Sequence, residues 1–66
     1  MRVRVNGEDR DLPESVNLRE YVASLGVNMA SIAVAVNGEV VKRDDMSSVE
    51  LAEGDTVEIV RAVGGG

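Results

Sequence analysis

The chain has no cysteine, histidine, phenylalanine or tryptophan, and Tyr21 is its only aromatic residue. Without Cys or His it lacks the usual thiol nucleophile, the usual general base and the best transition-metal ligands. Without aromatic platforms it has little on which to stack single-stranded bases. Cations are scarce too: Lys42 and six arginines stand against twelve acids, for a formal charge of −5. Phosphate backbones and anionic membranes are bound by clustered Lys and Arg, so no nucleic acid and no membrane is expected as a partner. The acid excess fits either plain solubility or a basic surface on a partner protein, and composition does not choose between them. No disulfide can form, which agrees with a cytoplasmic setting. The longest apolar run, Ile32–Val36, falls far short of a signal sequence or a membrane span. A soluble chain, unprocessed at its start, is expected.

What the sequence does have is valine. Thirteen Val and two Ile against four Leu favour strands over helices. Sixty-six residues, 44% of them apolar, allow one small domain. Met1–Val5 alternates apolar and charged with period two, the pattern of a half-buried strand. Asn6-Gly7 then supplies the two positive-φ positions of a type I′ hairpin turn. Glu8–Leu12 returns as a short, charged edge strand, closed by Pro13. Asn17 and Glu20 make a capping box, with Val16 and Tyr21 placed as a hydrophobic staple. Leu18, Tyr21, Val22 and Leu25 form an apolar stripe, and Gly26 suits the left-handed residue after a helix, so a helix is predicted over 18–25. Ile32–Val36 reads as a strand covered on both faces or nearly so, turned by a second Asn-Gly, Asn37-Gly38, into Glu39–Lys42. Residues 43–48 read as polar and irregular with room for a short helical turn, and Val49–Leu51 as a brief strand. Glu53-Gly54-Asp55 turns into an alternating strand, Thr56–Arg61.

Hairpin, helix, hairpin and final strand bury their apolar faces economically in one arrangement only. This is an α+β, β-grasp (ubiquitin-like) mixed sheet with one helix packed across it. The first and last strands are expected to pair in parallel at its centre, with Arg2 and Arg4 sharing the solvent face with Glu58 as a cross-strand charge match. The domain is expected over residues 1–63, followed by a flexible glycine tail at 64–66.

Few residues here are candidates for chemistry. Glu8-Asp9 and Asp44-Asp45 are adjacent acids in polar stretches, a setting where carboxylates are ordinarily solvated, and no metal site is expected. Lys42, beside a hairpin, reads as a surface ion-pair partner. The Asn-Gly pairs are not phosphate loops, since neither precedes a helix. An enzyme in its own right is not expected. Gly64-Gly65-Gly66 has two readings: a frayed or linker-like end, or a thread without side chains that enters a narrow cleft and presents its carboxylate. From Arg61 to Gly66 such a thread reaches roughly 20 Å at about 3.3 Å per residue.

Val3-Arg4-Val5-Asn6-Gly7, Asn37-Gly38-Glu39-Val40-Val41, Glu53-Gly54-Asp55-Thr56-Val57-Glu58-Ile59-Val60 and Val63-Gly64-Gly65-Gly66 together resemble the thiamin-biosynthesis sulfur carriers, the ThiS family. The resemblance covers essentially the whole chain. It implies that Gly66 is adenylated by an E1-like adenylyltransferase and converted to a thiocarboxylate that gives sulfur to a thiazole synthase. Gly65 and Gly64 would give access, and Val63, Ala62 and Arg61 would contact the partners. It also implies a sulfur-relay persulfide donor, and no cofactor on this chain, ATP and its metal being bound by the E1-like partner. Two neighbouring readings share the fold: the small subunit of molybdopterin synthase, whose tails tend toward Pro-Val-Ala-Gly-Gly, and a ubiquitin-like protein modifier. A plain β-grasp interaction module is a fourth.

Overall fold

The computed structural model describes residues 1–61. Ala62, Val63, Gly64, Gly65 and Gly66 lie outside the described residues, and with them the expected boundary between domain and tail. Five strands, β1 (Arg2–Val5), β2 (Glu8–Asp11), β3 (Ile32–Val36), β4 (Glu39–Val41) and β5 (Thr56–Arg61), form one sheet in the order β2-β1-β5-β3-β4. The last strand lies at the centre, parallel to β1 and antiparallel to β3. The one α-helix among the described residues, α1 (Leu18–Ser24), packs against one face.

Both Asn-Gly turns take the backbone their sequences call for. Asn6 and Gly7 have φ of 50° and 82°, Asn37 and Gly38 of 52° and 85°. This is the left-handed pair that a right-twisted two-residue hairpin requires. The capping box is complete: the Glu20 N–H donates to Asn17 Oδ1 at 2.8 Å, and the Asn17 N–H donates to Glu20 Oε1 at 3.0 Å. The helix is too short to stand alone in water and depends on its buried face. Leu18, Tyr21 and Val22 supply that face and meet Val3, Val5, Val34, Met46, Leu51 and Val57 in one core.

Several expectations are corrected. Leu25 caps the helix rather than joining its stripe, and it is 44% exposed. The helix closes at Leu25, whose N–H donates to the Val22 carbonyl at 3.1 Å, and Gly26 follows at φ of 71°. The β3 strand is not covered on both faces: Val34 is buried, while Ala33 is exposed on the face opposite the helix. Alanine is small enough to be tolerated on an open face, so the run reads as more buried than it is. Val49–Leu51 is not a strand. It meets the helix start through one bridge, Asn17 to Glu50, flanked by bonds from Leu18 N–H to the Val49 carbonyl and from Leu51 N–H to the Val16 carbonyl. Arg43–Ser48 forms a short 3₁₀ helix that buries Met46, the helical turn for which that segment has room, while a second 3₁₀ turn, Met29–Ser31, is not among the expected elements.

Candidate functional site

The residues singled out for function sit at or beyond the end of β5. Of these only Arg61 is described: it is exposed and opposite Ile32, at the last rung of the β3–β5 ladder. Ala62, Val63, Gly64, Gly65 and Gly66 are the candidates that fall outside the described residues.

What delivers the chain to Arg61 is a strand anchored along its length. At its start, Gly54 has φ of 87° with open space where a Cβ would stand, so the turn needs glycine for its backbone alone. Gly54 N–H donates to the Arg2 carbonyl at 2.8 Å, and Arg2 N–H donates to Glu53 Oε1 at 2.7 Å. Asp55 closes the turn by accepting from Ala52 N–H at 2.8 Å, and its other oxygen accepts from Asn37 Nδ2 at 3.0 Å. Asn37 Oδ1 in turn accepts from Thr56 N–H at 3.0 Å. Further along, Asn6 does the same for Ile59, whose N–H donates to Asn6 Oδ1 at 2.8 Å and whose carbonyl accepts from Asn6 Nδ2 at 3.2 Å. The two hairpin asparagines thus serve as turn residues and as clamps on β5. Their sequence signal was read only as the first of these, because the partner lies 53 residues away for Asn6.

Apolar surface flanks the strand's exit on both sides. On the open face Val60 (60% exposed) lies opposite Ala33, and Val40 (76% exposed) opposite Ala35, with Glu58 beside them. On the helix side an open groove of about 700 Å³ runs between the first hairpin and the helix end, with Tyr21, Leu25, Val27 and Ile59 in its walls and Arg61 at its rim. Val60 and Val40 were not singled out from sequence, although alternation with the buried Val57 places Val60 outward.

The remaining candidates are held apart. Arg2 and Arg4 share the open face with Glu58, as expected, but their ion pairs are with Asp11 and Asp9 across the first hairpin, at 3.3 and 3.4 Å. The β1–β2 register sets these residues directly opposite one another, whereas on β5 the residue opposite Arg4 is the uncharged Thr56. Glu8 pairs with Arg10 at 2.7 Å. Lys42 has no ion-pair partner among the described residues, against expectation. Asp44 and Asp45 are exposed on the 3₁₀ helix. Among the described residues no three Asp or Glu side chains come together as a metal site. No helix among them is long and apolar enough to cross a membrane. Chemically, this arrangement is a compact body with a firmly held central strand that ends between two apolar surfaces.

A five-stranded mixed sheet in this order, with one helix across it and the last strand central, defines a ubiquitin-like β-grasp protein. The ThiS family model matches residues 3–66, and the chain belongs to that family. It is 36% identical over 64 residues to the sulfur carrier protein ThiS of Thermus thermophilus, covering 97% of this chain and 98% of that one. It is 35% identical over 66 residues to the thiazole synthase of Paramagnetospirillum magneticum, where the whole chain matches only 20% of the longer protein. Among solved structures, the crystal structure of the thiamine biosynthesis protein ThiS from Geobacter metallireducens superposes with a TM-score of 0.86 at 35% identity, over 100% of both chains.

Proposed function

We propose that this chain carries sulfur for thiamin biosynthesis as a thiocarboxylate on Gly66, acting as a co-substrate of partner enzymes rather than as an enzyme. The observation that carries the proposal is the match to a sulfur carrier over nearly the full length of both chains, extending beyond the described body to the terminal glycines. The match of the whole chain to a fifth of a thiazole synthase supports a thiazole synthase as the sulfur acceptor.

The chemistry follows from a terminal carboxylate. Ionised near neutral pH, it resists nucleophilic attack but can itself attack phosphorus. Attack on the α-phosphorus of ATP expels pyrophosphate and leaves an acyl adenylate. A persulfide's terminal sulfur then attacks the carbonyl and AMP leaves, and a thiol cleaves the remaining S–S bond to free the thiocarboxylate. This chain contains no nucleotide-binding loop and no sulfur nucleophile, so an E1-like partner brings ATP and its metal, and a persulfide donor brings the sulfur. Gly65 and Gly64 admit the thread to a narrow cleft because they have no Cβ. Val63, Ala62 and Arg61, leading into it, lie along the cleft entrance. A cytoplasmic setting keeps such a thiol relay reduced.

The test is ATP–pyrophosphate exchange by an E1-like enzyme in the presence of the purified chain. Exchange should depend on the chain and vanish when one residue is added after Gly66, with the melting temperature unchanged. Exchange that persists with the extended chain would contradict the terminal-carboxylate mechanism.

A further inference from the structure

The strand that leads to Arg61 is held differently on its two flanks. Toward β3 the ladder continues as far as Arg61 opposite Ile32. Toward β1 the register covers only Arg4–Thr56 and Val5–Val57, and the last backbone bond runs from Asn6 N–H to the Val57 carbonyl at 2.9 Å. There the chain turns away into the first hairpin. Hydrogen-bonding direction alternates along a strand, so Val57, Ile59 and Arg61 all turn their peptide groups toward the lane that β1 has left. Val57 is met by backbone. Ile59 is met by the Asn6 side chain, which accepts from its N–H and donates to its carbonyl. A carboxamide presents one donor and one acceptor side by side, as a peptide does. Asn6 therefore extends the pairing of β1 by one further rung without any backbone there.

We infer that Asn6 is a positioning residue: it holds the end of β5 in sheet geometry, so that a partner receiving the thread beyond Arg61 does not have to order residues 59–61 as well. The inference rests on the reading that Gly66 is delivered into a partner's active site. The opposite clamp supplies the contrast. Asn37 makes the same kind of side-chain bond to Thr56, at the end of β5 far from Arg61.

The test compares the full-length chain with Asn6→Gly and Asn37→Gly. Glycine is at home at positive φ, so each variant keeps its turn and loses only the side-chain bonds. The first readout is amide hydrogen exchange. Asn6→Gly should speed exchange at Ile59 by about tenfold or more beyond any change at Val34, as expected of a locally opened strand end. Unchanged Ile59 exchange would overturn the clamp. The second readout is steady-state adenylation by the E1-like enzyme. Asn6→Gly should raise KM by about tenfold with kcat within about twofold, the signature of an ordering cost met on binding. Asn37→Gly should leave KM within about twofold, because the residues it frees are not those that enter the partner. Equal effects of the two variants at matched melting temperature would reduce Asn6 to a structural bond and overturn the inference. If wild-type chain is not adenylated at all, the carrier reading and the positioning role fall together, while Ile59 exchange still decides the clamp separately.

Discussion

Val57 and Val60 are three residues apart on the same strand and face opposite ways. Val57 is fully buried beneath the helix, and Val60 is 60% exposed on the open face. Val57→Ala should cost about 2–3 kcal/mol, since it removes buried methyl volume from a filled core. In a domain of this size that lowers the melting temperature by about 10 °C or more. Val60→Ala should change stability by less than about 0.5 kcal/mol. Thermal denaturation of the two variants side by side checks the assignment of faces; equal losses would contradict it. Individual residues were readable where a single local rule governs them, as with the positive-φ Asn-Gly pairs. They were unreadable where a distant partner decides. Nothing near Asn6 in sequence announces Ile59, whereas the Arg4–Asp9 pair follows from the register of the first hairpin, which sets the two residues opposite one another.

Elements were legible to the extent that their ends are chemically marked. The helix begins where Asn17 and Glu20 exchange their reciprocal bonds, and Asn17→Ala should cost about 1 kcal/mol, seen as a melting-temperature drop of roughly 4–8 °C. A loss well below that would mean that docking through Leu18 and Val22 alone sets the helix start. The ion pairs of the first hairpin are exposed on both sides, so Arg4→Ala should cost no more than about 1 kcal/mol, and less as salt is raised. Elements without such marks were misread. Val49–Leu51 has strand composition but meets only the short stretch around Asn17, which leaves room for one bridge. Ile32–Val36 is uniformly apolar, and a pattern with no alternation cannot say that one of its faces is bare. Leu25 has helical spacing, but it is the residue that closes the helix, and it is left exposed.

At the scale of the molecule, the parallel pairing of the first and last strands was legible because both alternate and the segments between them close on themselves as hairpin, helix and hairpin. That topology puts the strand leading to the glycines at the centre of the sheet, anchored to β1, to β3 and to both hairpin asparagines. The functional end rests on sequence alone, since Gly64, Gly65 and Gly66 lie outside the described residues. Three glycines bring no side chains, and on the proposed reading their value lies in what a narrow cleft will admit. The missing cysteine and histidine fit the same division of labour, in which the body presents a carboxylate and partner proteins act on it. The central claim is that Gly66 carries sulfur, and intact mass spectrometry of the chain after incubation with an E1-like enzyme, ATP and a persulfide donor tests it most directly. The account predicts a mass gain equal to the replacement of one oxygen by sulfur, located on the C-terminal fragment containing Gly66 and lost again on incubation with a thiazole synthase and its substrates. A C-terminus that stays a plain carboxylate under those conditions, or the added sulfur located on any other fragment of the chain, would contradict it.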